Sequence, residues 1–133
     1  MVTSDDLQKT VSFLDRRFGL ETLWLFGSEA RGTARPDSDL DFAAFFRRRP
    51  SALEILDARE DLKGALHREV DLVDLDQASP ILGMQVLRHG RLLVDRDARR
   101  RYAFFSRTIS MYEDVKIGRR EAEQALYARM ARG

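Results

Sequence analysis

The chain contains no cysteine, which excludes a disulfide framework and any thiolate metal centre. No apolar run is long enough to span a bilayer, so no membrane role is expected. The opening Met1-Val2-Thr3-Ser4-Asp5-Asp6 is polar and acidic rather than signal-like, and a cytoplasmic location is the expectation. Charge of one sign is also missing. With a formal net charge of +1, no global field draws the protein to nucleic acid, which is not expected as a direct ligand. Arginines do cluster at Arg47-Arg48-Arg49, Arg99-Arg100-Arg101 and Arg119-Arg120, and each cluster reads as a solvated face. There is neither an internal repeat nor a low-complexity segment. What remains is 133 residues with 44% hydrophobic and 34% charged side chains, enough for a single domain over 1–133 with one real core.

Strand and helix signals alternate along the chain. Thr3 or Ser4 caps a first helix whose Leu7, Val11, Leu14 and Phe18 recur at helical spacing and which stops at Gly19. Thr22–Phe26 reads as a buried strand, followed by a Gly-Ser turn, a short helical piece near 28–32 and a loop over 33–38. A second strand covers Asp39–Phe46. Ser51, with Glu54 three residues on, caps a helix with Leu53, Leu56, Leu62 and Leu66 as its apolar stripe. Glu69–Leu75 alternates acidic and apolar residues, predicting a third strand with Val70, Leu72 and, after a break, Leu75 turned to the core. Ser79-Pro80 opens a short helix closed by His89-Gly90, and Arg91–Val94 is a fourth strand. From about Asp97 a long helix carries Tyr102, Phe105, Ile109 and Tyr112 as its core stripe, leaving Phe104 off it as a candidate partner contact. That helix either continues through Gly118 or restarts after it. The pattern is α/β or α+β: a small mixed sheet with flanking helices.

The chemistry concentrates between the first two strands. Gly27-Ser28 ends one strand, ten residues intervene, and Asp39-x-Asp41 opens the next. Successive strand residues alternate faces, so Asp39 and Asp41 point the same way. Two adjacent carboxylates repel one another; a divalent cation relieves this, and hard oxygen donors suit magnesium or manganese. Gly27, lacking a Cβ, lets backbone approach a bulky anion, and Ser28 at the start of a helical turn favours phosphate.

This Gly-Ser, ten-residue, Asp-x-Asp arrangement resembles the signature of the DNA polymerase beta-like nucleotidyltransferases. The letters around it, Ala30-Arg31-Gly32 and Arg35-x-Asp37-Ser38-Asp39, are most similar to the minimal nucleotidyltransferases, or MNT domains, antitoxins of HEPN-domain toxins. The likeness extends over about residues 5–120 through Asp71–Pro80, Gln85–Leu93 and Tyr112-Glu113-Asp114. It implies the polymerase-beta-like nucleotidyltransferase fold and a third carboxylate on a neighbouring strand, at Asp71. Glu69 has the same parity and is the rival, whereas Asp74 faces opposite and Asp76 lies past the strand. It further implies that Asp39, Asp41 and Asp71 hold two magnesium ions and act in catalysis, with Asp71 also taking the acceptor proton. Gly27 and Ser28 would hold the phosphates of ATP, and Arg31 or Arg35 would steady the pyrophosphate. AMP would pass from ATP to a hydroxyl, a tyrosine of the HEPN toxin. A small-molecule or nucleic-acid acceptor, and a non-catalytic antitoxin that neutralises by covering its partner, are the alternatives. A homodimer is left open. His67 and His89 read as structural or solvent-facing, isolated from the acidic cluster.

Overall fold

Thr3 starts the first helix in this computed structural model, which describes residues 2–27, 32 and 38–132. Helix α1 spans Ser4–Phe18 under a capping box: Thr3 Oγ1 accepts from the Asp6 N–H at 3.1 Å, and the Asp6 carboxylate accepts from the Thr3 N–H at 3.2 Å. It ends at Gly19. Strand β1, Leu20–Phe26, begins two residues before the apolar run suggested. The Leu20 N–H donates to Asp15 at 3.0 Å, which fixes the strand directly against the helix end. Strand β2 is Leu40–Phe46 and helix α2 is Ala52–Leu66, capped by Ser51 with Glu54 as expected. Strand β3, Val70–Asp74, passes into a one-turn 3-10 helix at Leu75–Gln77. Helix α3, Pro80–His89, follows its Ser79 cap; strand β4 is Arg91–Asp95; helix α4 runs unbroken from Ala98 to Arg132.

The four strands form one mixed sheet in the order β3-β2-β1-β4. β1 is antiparallel to both β2 and β4, and β2 is parallel to β3. Alternation along the central strands divides the core in two. Leu23, Leu25, Leu40, Phe42, Ala44 and Phe46 pack with Leu14 and Phe18 of α1 and with Ala58, Leu62 and Leu66 of α2. On the opposite face, Trp24, Phe26, Ala43 and Phe45 pack with Val86 of α3 and Phe104 of α4. Val70 and Leu72 enter the first cluster, whereas Leu75, past the strand in the 3-10 turn, enters the second rather than joining them.

Two helix stripes differ from the sequence reading. In α2, Leu53 and Leu56 are 67% and 51% exposed, and the buried face is Ala58, Leu62 and Leu66. Ile55 packs against the core instead, and Leu56 borders a hollow beside Leu72 of β3. In α4 the stripe is rotated: Phe104 is buried at 4% exposure with Thr108, whereas Tyr102 and Ile109 are 61% and 49% exposed; of the expected stripe, Phe105 and Tyr112 are half-buried, and Phe105 packs against the second cluster. Phe104 is therefore a core residue, stacked edge-on against Phe45 at 5.1 Å between centroids, and not a free partner contact. Arg100 is likewise no solvated arginine. It donates to Glu21 at 2.7 Å and to the Phe46 carbonyl at 3.0 Å, pairs with Asp76, and lies over the Phe45 ring. This brace holds the start of α4 to the ends of β1, β2 and β3.

Candidate active site

Asp41 alternates with Ala43 and Phe45, so it belongs to the sheet face that carries α3 and α4. Its register neighbours are Phe26 on β1 and Asp71 on β3. Two of the expected carboxylates thus stand directly opposite one another on adjacent strands, which run about 4.8 Å apart. Gly27 closes β1 with φ +75°, a left-handed conformation that favours glycine, and a Cβ there would overlap Asp41 Oδ2. The glycine is what admits the carboxylate. Asp39 is exposed and comes one residue before β2.

The start of β2 is fastened to the start of β3 by two contacts. The Leu40 N–H donates to the Glu69 carbonyl at 2.9 Å. The Arg68 guanidinium, through Nε, donates to the Ser38 carbonyl at 3.2 Å. Arg68 therefore sets where the Asp39–Asp41 segment begins. Positive charge reaches the open edge of β3 from one face of α2. Arg59 Nε lies 3.6 Å from Asp71, and Lys63 lies 2.9 Å from Glu69. The rival carboxylate, Glu69, carries the closer ion pair and precedes the strand. Asp74 is buried among apolar side chains, which raises its carboxyl above the usual range, and it accepts from the Asp76 N–H at 3.1 Å as the cap of the 3-10 turn. Neither Asp74 nor Asp76 faces the Asp41–Asp71 pair. Ser28, Arg31, Arg35 and the expected short helical piece lie outside the described residues. Among the described residues, no three His, Cys, Asp or Glu side chains are already grouped to hold a metal ion.

A cavity of about 340 Å³ opens above Asp41, lined by Phe26, Gly27, Asp41, Gln85 and His89. A larger hollow of about 560 Å³ runs along β3 between α2 and α3, past Leu56, Leu72 and Asp74, and holds none of the three expected aspartates. Residues 8–99 match the family described as polymerase beta, nucleotidyltransferase. The chain belongs to that family.

Among relatives of this nucleotidyltransferase is the protein adenylyltransferase MntA of Shewanella oneidensis, 34% identical over 102 residues, which are 75% of this chain and 71% of the relative. In solved structures, a chain of a toxin–antitoxin complex with AMP-PNP superposes with TM-score 0.79 at 28% identity, over 95% of this chain and 99% of that one. A chain of the tri-AMPylated Shewanella oneidensis HEPN toxin in complex with MNT antitoxin superposes with TM-score 0.76 at 27% identity, over 92% and 96%.

Against that family background, sequence reading missed two kinds of residue. Gln85 and His89, one turn apart on α3, share the Asp41 cavity, so His89 faces solvent as expected but is not isolated from the acidic cluster. Their spacing marks a common helix face, but only the packing of α3 shows which element that face overlooks. Arg68 gave no local signal, because its role is a contact with a carbonyl 30 residues away. His67 is structural as read: it ends α2 in the left-handed region at φ 55°.

Proposed function

We propose that this nucleotidyltransferase is the antitoxin of a toxin–antitoxin pair and moves AMP from ATP to a tyrosine hydroxyl of a HEPN toxin. The observation that carries the chemistry is the Asp41–Asp71 register pair, with Gly27 shaped to receive the Asp41 carboxylate. The complexes of related antitoxins, one with AMP-PNP and one with an AMPylated toxin, support the substrate and the partner. Among the described residues no helix is long and apolar enough to cross a membrane, and the cysteine-free sequence suits the cytoplasm in which we place the protein.

The donor set fits magnesium. Asp39 lies at the entry to β2, two residues before Asp41, Asp71 lies beside Asp41, and all three offer hard oxygens. Arg59 now balances the Asp71 charge, a task a cation would take over. We assign two ions to Asp39, Asp41 and Asp71. When bound, they neutralise phosphate oxygens and stabilise the departing charge. The chain's own groups do the rest. Gly27 and Ser28 hold the phosphates, and Arg31 and Arg35 attract the leaving group. Asp71 accepts the proton of the acceptor hydroxyl, whose oxygen bonds to the α-phosphorus. The bond from that phosphorus to the bridging oxygen breaks, and pyrophosphate leaves with the electron pair.

The test is the Asp39→Asn, Asp41→Asn double variant, incubated with labelled ATP and purified toxin. Transfer should vanish while the circular dichroism spectrum is retained. Undiminished labelling of the toxin by this variant would end the assignment, and label found on a small molecule or nucleic acid instead would replace the acceptor.

A further inference from the structure

We infer that Gln85 and His89 form a second wall of the nucleotide site and hold the β- and γ-phosphate tail of the triphosphate opposite Gly27. This rests on the proposed nucleotidyl transfer and adds to it residues outside the Gly-Ser and aspartate motif.

The cavity over Asp41 has a definite orientation. β2 lies between β1 and β3, so Asp71 flanks Asp41 on one side and Gly27 flanks it on the other. Gln85 and His89 line the cavity on the Gly27 side together with Phe26, and Asp71 is not part of its wall. If Asp71 receives the acceptor's proton, the acceptor comes in over β3, and the β1 side is left for the nucleotide and its leaving group. The helix that carries the two side chains is well anchored. Ser79 caps it, Val86 is buried in the core beneath, and Gly90 at its end packs against Trp24 of β1. Gln85 and His89 are four residues apart, on one face of that helix, and both are exposed to the cavity.

The chemistry of the wall fits phosphate oxygens. The glutamine amide offers two N–H donors and the imidazole at least one, and hydrogen bonds to charged oxygens are about twice as strong as neutral ones. Phe26 and Gly27 add no charge, and among the described residues of the wall the carboxylate is that of Asp41. A lone anion would meet that carboxylate, whereas phosphates arriving with a divalent cation would not be repelled.

Calorimetric titration of the full chain with AMP-PNP, inorganic pyrophosphate and AMP, each with magnesium, tests the assignment. His89→Ala and Gln85→Ala should each weaken AMP-PNP and pyrophosphate about tenfold, as expected for one lost hydrogen bond to a charged group, and leave AMP unchanged. His89→Gln, which keeps a donor, should recover most of the loss. In the transfer reaction the KM for ATP should rise while the KM for the toxin stays near its parent value. Unchanged AMP-PNP binding by both alanine variants would overturn the inference, and so would an equal loss for AMP, which would move the pair to the nucleoside. If the Asp39, Asp41 double variant is inactive while the alanine variants bind like the parent, only this inference falls. If the double variant transfers AMP normally, the nucleotide reading of the cavity falls and takes this one with it.

Discussion

At Gly27 the backbone and a carboxylate compete for the same space, and only a hydrogen leaves room for both. Gly27→Ala adds a methyl that overlaps Asp41 Oδ2 and asks an L-residue to adopt φ +75°. The strain and overlap should cost more than about 1 kcal/mol of stability, seen as a lower melting temperature. The displaced carboxylate should reduce AMP transfer about 100-fold, since shifts of an ångström at a reacting centre have that effect. Parent-like transfer by this variant would show that Asp41 need not sit against the turn. Asp74 shows the opposite balance. Burial raises its carboxyl, with Asp76 adding repulsion and Arg49 and Arg100 opposing it. A folded carboxyl above its unfolded value stabilises the fold at low pH, and that contribution is lost as pH rises through the raised value. Asp74→Asn keeps an oxygen for the Asp76 N–H and removes the buried charge. Its melting temperature should match the parent in acid and exceed it at neutral pH; a lower value at neutral pH would mean the ionised form is needed. Asp39 and Asp41 stood out because their spacing is local, whereas Asp71 was pointed to only by the family resemblance. Gln85 and His89 were not legible, because Gln85 lies 44 positions after Asp41 and only the fold brings them together.

Helix α4 shows how an element can be found and its face misjudged. Its start near Asp97 is readable, its continuity through Gly118 is not, and the buried side lies one position from the stripe that hydrophobicity selects. Tyr102, Phe105, Ile109 and Tyr112 make the more apolar stripe, and a count of hydrophobic residues selects it. The packed pair is Phe104 and Thr108, because α3 presents Gly83 there: a Cβ on Gly83 would come within 2.9 Å of Thr108 Cγ2 and 3.3 Å of Phe104 Cζ. Close helix approach rewards a small polar residue that no hydrophobicity scale would choose. The strands were easier, since β2 has both faces buried and β3 alternates plainly. Phe104→Ala should destabilise the protein by about 3–5 kcal/mol, the usual cost of emptying an aromatic site in a core. Ile109→Ala should cost no more than about 0.5 kcal/mol, as exposed positions do. Urea denaturation of the two variants decides between the stripes, and equal losses would reject the observed rotation.

The whole molecule has two unequal parts. The sheet, its flanking helices and the first turns of α4 share buried surface, and they hold every described residue assigned to the site. Beyond Tyr112 the same helix continues to Arg132, and every described side chain there is exposed except Lys116, which is half-buried. Val115, Ile117, Leu126, Tyr127 and Met130 are among those exposed, so the apolar positions of this stretch give the core nothing. Most helical stability in proteins comes from packing of an amphipathic face. Residues that bury nothing cannot support the fold, so a chain ending at Ile117 should melt within about 2–4 °C of the full-length protein, the shift expected from changes of surface residues alone. It should also bind AMP-PNP with unchanged affinity, because Gly27, Asp41, Gln85 and His89 all lie in the packed part. Thermal denaturation and calorimetry of the shortened chain check both statements. A fall well beyond that range would mean that the far half of α4 is held against something in solution, and is then part of the folded unit rather than an extension from it.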